Sequence, residues 1–318
     1  MSNVDCNGFM AHSRLLPTFF VIGPPRTGTS WVHDVLAPHT SLPDNVKETR
    51  FFDLHFRRGF SWYLRYFSDA QTASKPRGEV APTYFASARA RQRIAESCPH
   101  AKVVCIFRHP LERVISLYRL KYAYGMVRCS FEDAVLFDPE FLESGKYATH
   151  LKAWYAAMDP KQILVTFYDQ LRDQPQVFVD TVADFIGIPR FSLGESPNLV
   201  VHASEFYTQP RNVLWTRLAV AVADRLKTLH LDGVARQLQK SVLRKYFLAS
   251  GRAFTRPSPT IARAVLELFR PQVEGLEAML NVDLSAWKPK DSDFESLPPS
   301  RDEPLALFSM SAAGSTTW

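Results

Sequence analysis

The sequence predicts an α/β fold: a P-loop-like parallel sheet flanked by helices, with a helical C-terminal section. Three observations predict it. Short apolar runs at 18–22, 102–107 and 161–167 read as buried strands. Helical periodicity follows each run, the alternation that builds βαβ units and a sheet covered on both faces. Beyond position 188 the chain turns helical, with periodic stretches at 213–229, 234–247 and 257–280.

The elements follow in order. Thr18-Phe19-Phe20-Val21-Ile22-Gly23 stops at Pro24-Pro25, a strand running into a turn. From Thr29 the pattern is helical, with Trp31, Val32, Val35 and Leu36 on one side, and it ends near Pro38. A second helix spans 86–97 and is closed by Pro99. The strand at 102–107 leads into a helix opened by Pro110, a residue suited to the first helical turn. The strand at 161–167 precedes a helix over 175–186. Residues 1–16 read as a loose leader, 17–288 as one domain, and 289–318 as an irregular tail rich in Ser, Pro and acidic residues.

Composition narrows the function. Of the 318 residues 46% are hydrophobic and 22% charged, an ordinary globular balance that supports a real core without staples. Cys6, Cys98, Cys105 and Cys129 form no CxxC pair, which argues against a zinc site and a disulfide framework. No uncharged apolar stretch reaches the roughly 18 residues of a membrane span, and the first 14 residues lack signal-peptide order. The cytoplasm is therefore the expected location. The net charge of +6 suits a polyanionic ligand, but the sequence has none of the basic-aromatic patterning of a nucleic-acid binder.

Two constellations carry chemistry. Gly23-Pro24-Pro25-Arg26-Thr27-Gly28-Thr29-Ser30 has P-loop spacing between a strand and a helix, where backbone N–H groups and the helix dipole converge on an anion. Where a nucleoside-triphosphate loop carries Lys after its second Gly, this chain has Thr29, and its cation, Arg26, comes earlier. The second constellation is Arg108-His109-Pro110-Leu111-Glu112-Arg113-Val114-Ile115-Ser116. Arg108 leaves a strand at its C-terminal edge and Ser116 lies two turns into the next helix, a guanidinium and a hydroxyl suited to a second phosphate.

Together these elements resemble the 5′-phosphosulfate and 3′-phosphate loops of sulfotransferases that use 3′-phosphoadenosine 5′-phosphosulfate (PAPS). The likeness extends to heparan sulfate sulfotransferases and their soluble bacterial-type relatives. Lys47-Glu48-Thr49-Arg50-Phe51-Phe52-Asp53 is similar to their E-x-[HQ]-F-F segment, and Glu79-Val80-Ala81-Pro82-Thr83-Tyr84-Phe85 to their E-K-[ST]-P-x-Y-F. Val80 departs from that pattern, since the family has a cation there; Arg50 is a candidate to compensate.

The resemblance implies transfer of the sulfuryl group from PAPS to a hydroxyl, less readily an amine, with PAP as product and no metal. It implies that Arg26 stabilises the leaving PAP and that Thr27, Gly28, Thr29, Ser30 and Trp31 line the cofactor. Arg108 and Ser116 would grip its 3′-phosphate, and Arg211 resembles a late cofactor-binding arginine. Glu48 is the implied general base, with Arg50, Phe52, Tyr84 and Tyr122 toward the acceptor. The expected partner is a small molecule or glycan, not nucleic acid, with peripheral membrane contact if the acceptor is lipid-linked. The alternatives are a P-loop small-molecule kinase and an inactive nucleotide-binding protein of the same fold.

Overall fold

The computed structural model of the protein describes residues 15–67, 75–194 and 257–289. The leader to position 14, the helical stretches at 213–229 and 234–247, Arg211, and the tail beyond 289 lie outside the described residues.

Four parallel strands form the sheet among the described residues, β1 (Phe19–Val21), β2 (Gly78–Val80), β3 (Lys102–Phe107) and β4 (Ile163–Phe167), in the order β2-β1-β3-β4. Phe19 pairs with Gly78 on one side and Lys102 on the other, and Val103 pairs with Ile163. After β1 the chain adds β2 on one flank and then crosses to β3 on the other. The strand order thus reverses at β1, which makes the carboxyl ends of β1 and β3 a switch point of the kind where open α/β sheets bind ligands.

Among the described residues the α-helices are α1 (Thr29–Leu36), α2 (Phe60–Leu64), α3 (Ala88–Ser97), α4 (Pro110–Ala123), α5 (Phe131–Phe137), α6 (Glu140–Glu143), α7 (Tyr147–Ala157), α8 (Tyr168–Asp173), α9 (Pro175–Ile186) and α10 (Pro259–Leu280). Strand side chains alternate between two cores. Phe19, Val21, Val80, Val104 and Ile106 pack under Trp31, Val32, Val35 and Leu36 of α1 and the apolar face of α9. Phe20, Ile22, Val103, Cys105 and Phe107 meet a core built around Phe51, Phe52, Tyr63, Tyr84 and Trp154. Both faces are covered, so the strands read as continuous apolar runs.

Several boundaries differ from the sequence reading by one or two residues, and two of them show why. The helix expected over 86–97 begins at Ala88, because the Ser87 side chain accepts from the Ala90 N–H and caps it there. The strand expected from 161 begins at Ile163, because Asp159 caps a 3-10 turn over Pro160–Gln162. β2 was not expected as a strand. It is three residues long and centred on a glutamate, so it carries no apolar run to read.

In the C-terminal section, α10 starts at a Ser258 cap and buries Val265, Phe269, Val273 and Leu276. The chain then closes on a turn over Ser285–Trp287. The Trp287 ring lies 5.7 Å from Phe167, the last residue of β4, and 6.2 Å from Tyr147. Among the described residues no helix is long and apolar enough to cross a membrane.

Candidate active site

The phosphate-type loop leaves β1 in tight contact with β3. The Ile22 N–H donates to the Val104 carbonyl at 2.9 Å, and a Cβ on Gly23 would fall 2.8 Å from the Ile106 nitrogen. Only glycine permits that approach. Thr27 is fully buried and donates to the Pro24 carbonyl at 2.9 Å, which closes the turn. Arg26 (φ 77°) and Gly28 (φ 89°) both take the left-handed conformation. For arginine that conformation costs on the order of 1 kcal/mol, the kind of strain that gathers at functional loops. No side chain caps the N-terminus of α1, so its first N–H groups are left for another acceptor and the dipole favours an anion there.

The second constellation meets this loop directly. Arg26 Nε donates to Ser116 Oγ at 2.9 Å across 90 positions of sequence. Arg108 Nη1 donates to the Arg26 carbonyl at 3.3 Å, and its guanidinium lies 4.4 Å over the Tyr168 ring. Tyr147 Oη donates to the Arg108 carbonyl at 2.8 Å and fixes the end of β3. Two guanidiniums, a serine hydroxyl and an uncapped helix N-terminus therefore converge at the switch point, a cradle that fits a ligand with two phosphates.

The carboxylate arrives from a third segment. Glu48 is three-quarters buried, and Lys47 Nζ stands 3.4 Å from its Oε1. The same Nζ donates to Thr29 Oγ1 at 3.2 Å and Ser30 Oγ at 3.3 Å. Glu48 is thereby tied to the first turn of α1. Behind it, Thr49 anchors the segment: its N–H and its hydroxyl each donate to Glu79 Oε1 at 2.7 Å. Tyr63 Oη donates to Glu79 Oε2 at 2.9 Å, and Tyr84 Oη reaches both oxygens at 3.2 Å. Burial pushes the Glu79 carboxyl up to about 7, against the lowering effect of the bonds from Thr49 and Tyr63.

The remaining predicted residues have partners of their own. Arg50 (φ 55°) pairs with Asp53 at 2.7 Å instead of bonding to Glu48. Phe52 and Tyr84 are fully buried beneath the base segment, where Tyr84 Oη accepts from the Phe52 N–H at 3.3 Å. Trp31 is buried with its ring 6.4 Å from Phe178, and Tyr122 stacks on Tyr118 at 5.5 Å. Arg113, the second arginine of its motif, is fully buried and donates to Ser144 Oγ at 2.8 Å and to the Phe141 carbonyl. Sequence reasoning missed Lys47 and Glu79 as parts of the site. The signal for Lys47 was a Lys-Glu pair before a buried Phe-Phe; for Glu79 it was a lone acid among Gly78, Val80 and Ala81.

Comparison with known proteins bears on the family and the fold. Residues 16–212 match the family model described as a sulfotransferase domain. The mouse bifunctional heparan sulfate N-deacetylase/N-sulfotransferase 1 is 30% identical over 194 residues, 54% of this chain and 22% of that protein. Its human counterpart is 30% identical over 224 residues, 64% and 24% respectively. The matched part thus spans less than a quarter of these curated relatives. A sulfotransferase from Alicyclobacillus acidocaldarius superposes with a TM-score of 0.61 at 20% identity, covering 86% of this chain and 98% of its own, which supports the fold.

Proposed function

The chain belongs to the sulfotransferase family, and from that premise we propose that it transfers the sulfuryl group of PAPS to an acceptor hydroxyl. A carbohydrate, glycolipid or secondary metabolite is the proposed acceptor class. An amine is the competing acceptor atom, the chemistry for which the heparan sulfate N-sulfotransferases are named. The observation that carries the reading is the meeting of Arg26, Ser116 and Arg108 at one switch point.

PAPS supplies the sulfuryl group and keeps the electron pair of the broken S–O bond as PAP. This chain's residues do the rest. Arg26 and the N–H groups at residues 27–30 neutralise charge growing on the 5′-phosphate, a preorganised electrostatic role. Arg108 and Ser116 hold the 3′-phosphate and fix the nucleotide's position. Glu48 takes the acceptor's proton as the new O–S bond forms. Glu79, through Thr49, holds the backbone that carries Glu48.

Transfer of label from PAPS to a panel of glycans, glycolipids and phenols tests this reading. The expected result is a labelled product with the wild-type chain and a loss of about 10²-fold or more in Glu48→Gln, as for removal of a general base. Full activity in Glu48→Gln would remove that residue as the base. Phosphoryl transfer from Mg-ATP in the same panel would overturn sulfotransfer in favour of a kinase.

A further inference from the structure

The base segment brings a cation that neither phosphate motif contains. Lys47 Nζ lies within hydrogen-bonding distance of three oxygens: Thr29 Oγ1, Ser30 Oγ and Glu48 Oε1. The two hydroxyls mark the first turn of α1, where the 5′ end of the nucleotide is proposed to sit. The carboxylate marks where the acceptor's proton leaves. In-line displacement requires the migrating group to lie between those two points. Lys47 is bonded to both.

The other nearby cations have tasks of their own. Arg26 bonds Ser116 through Nε and is assigned to the 5′-phosphate, and Arg50 pairs with Asp53. Position 80 holds a fully buried valine and supplies no charge. Lys47 itself is only a quarter exposed, and burial lowers its ammonium pKa, with Glu48 opposing that fall and Arg26 adding to it. Its three N–H donors meet three oxygens, two of them neutral hydroxyls that an incoming anion can displace.

Resting on the PAPS reading above, we propose that Lys47 is the sulfuryl-binding cation of this site and a catalytic residue of the transfer. It exchanges its bond to Ser30 for one to a non-bridging sulfuryl oxygen while holding Glu48 toward the acceptor. The acceptor O–S bond forms, the S–O bond to the 5′-phosphate breaks with its electron pair on PAP, and Glu48 receives the acceptor's proton. Lys47 keeps its own proton throughout.

The test compares PAPS with PAP, because only PAPS carries the sulfuryl group. Calorimetry of the full chain without acceptor should show Lys47→Met binding PAP within about threefold of wild type and PAPS roughly tenfold more weakly, the weight of one lost charge-assisted bond. Turnover should fall by about 10²–10³, as on removal of one transition-state donor. Retained PAP binding shows that the variant is folded. If Lys47→Met binds neither nucleotide, Lys47→Gln, which can still bond Thr29, reads the same ratio. A PAPS-to-PAP affinity ratio within about twofold of wild type overturns the assignment whatever the turnover. Failure of the wild-type chain to bind PAP or PAPS would instead overturn the sulfotransfer reading on which it rests.

Discussion

Glu79 is buried to 0% exposure with one oxygen taking two bonds from Thr49 and both oxygens facing tyrosine hydroxyls. Its carboxyl rises from the ordinary 4.5 to about 7 because burial outweighs those bonds. The folded state therefore holds this proton more tightly than the unfolded chain. Stability from this group is complete below about pH 4.5 and is lost as pH rises to about 7, by roughly 3 kcal/mol in all. Urea unfolding at pH 5 and pH 8 checks it: Glu79→Gln, neutral throughout, should lose less stability between those values than wild type. An equal loss in both proteins would mean that Glu79 does not titrate there. At this scale the sequence was half legible. It offered Arg26, Glu48, Arg108 and Ser116 as chemically apt groups, but the burial of Glu79 depends on Tyr63 and Tyr84 closing over it, and no spacing rule contains that. Lys47 escaped because its contacts to Thr29 and Ser30 span 18 and 17 positions, which no local pattern encodes.

The decisive element is the unit from β1 through the loop to α1. Its strand-turn-helix order was readable, since Pro24-Pro25 and Gly28 punctuate it and the periodicity changes at Thr29. The two glycines do different work. Gly28 needs its positive φ, and a Cβ there would meet Leu171 and Tyr168 at 3.1 and 3.3 Å, side-chain atoms that can shift. At Gly23 a Cβ would press on the Ile106 backbone at 2.8 Å, which cannot yield without parting β1 from β3. Gly28→Ala should cost about 1–3 kcal/mol, and Gly23→Ala should cost more and also weaken PAP binding. Denaturant midpoints of the two variants give the order; a larger loss in Gly28→Ala would contradict it. β2 was illegible for the opposite reason, as three residues including Gly78 and Glu79 leave no periodic signal.

Across the whole molecule, three distant segments meet beyond the carboxyl ends of β1 and β3. Helical and strand periodicity predicted the α/β class and the covered parallel sheet, because those follow from local pattern. The strand order β2-β1-β3-β4 does not, since it is set by how the chain packs both faces of the sheet. That order places residues 26 and 116 within 2.9 Å and makes one cradle from two motifs. The net charge of +6 adds a general attraction for polyanions, so binding of a bisphosphate should weaken as salt rises.

Calorimetric titration of the full chain with PAP, AMP and Mg-ATP, repeated on Arg108→Ala, tests the two-phosphate cradle most directly. Wild type should prefer PAP to AMP by about tenfold or more, the worth of a charge-assisted grip on the 3′-phosphate, and Arg108→Ala should erase most of that preference. Equal affinity for PAP and AMP in wild type, or preferential binding of Mg-ATP, would contradict the account.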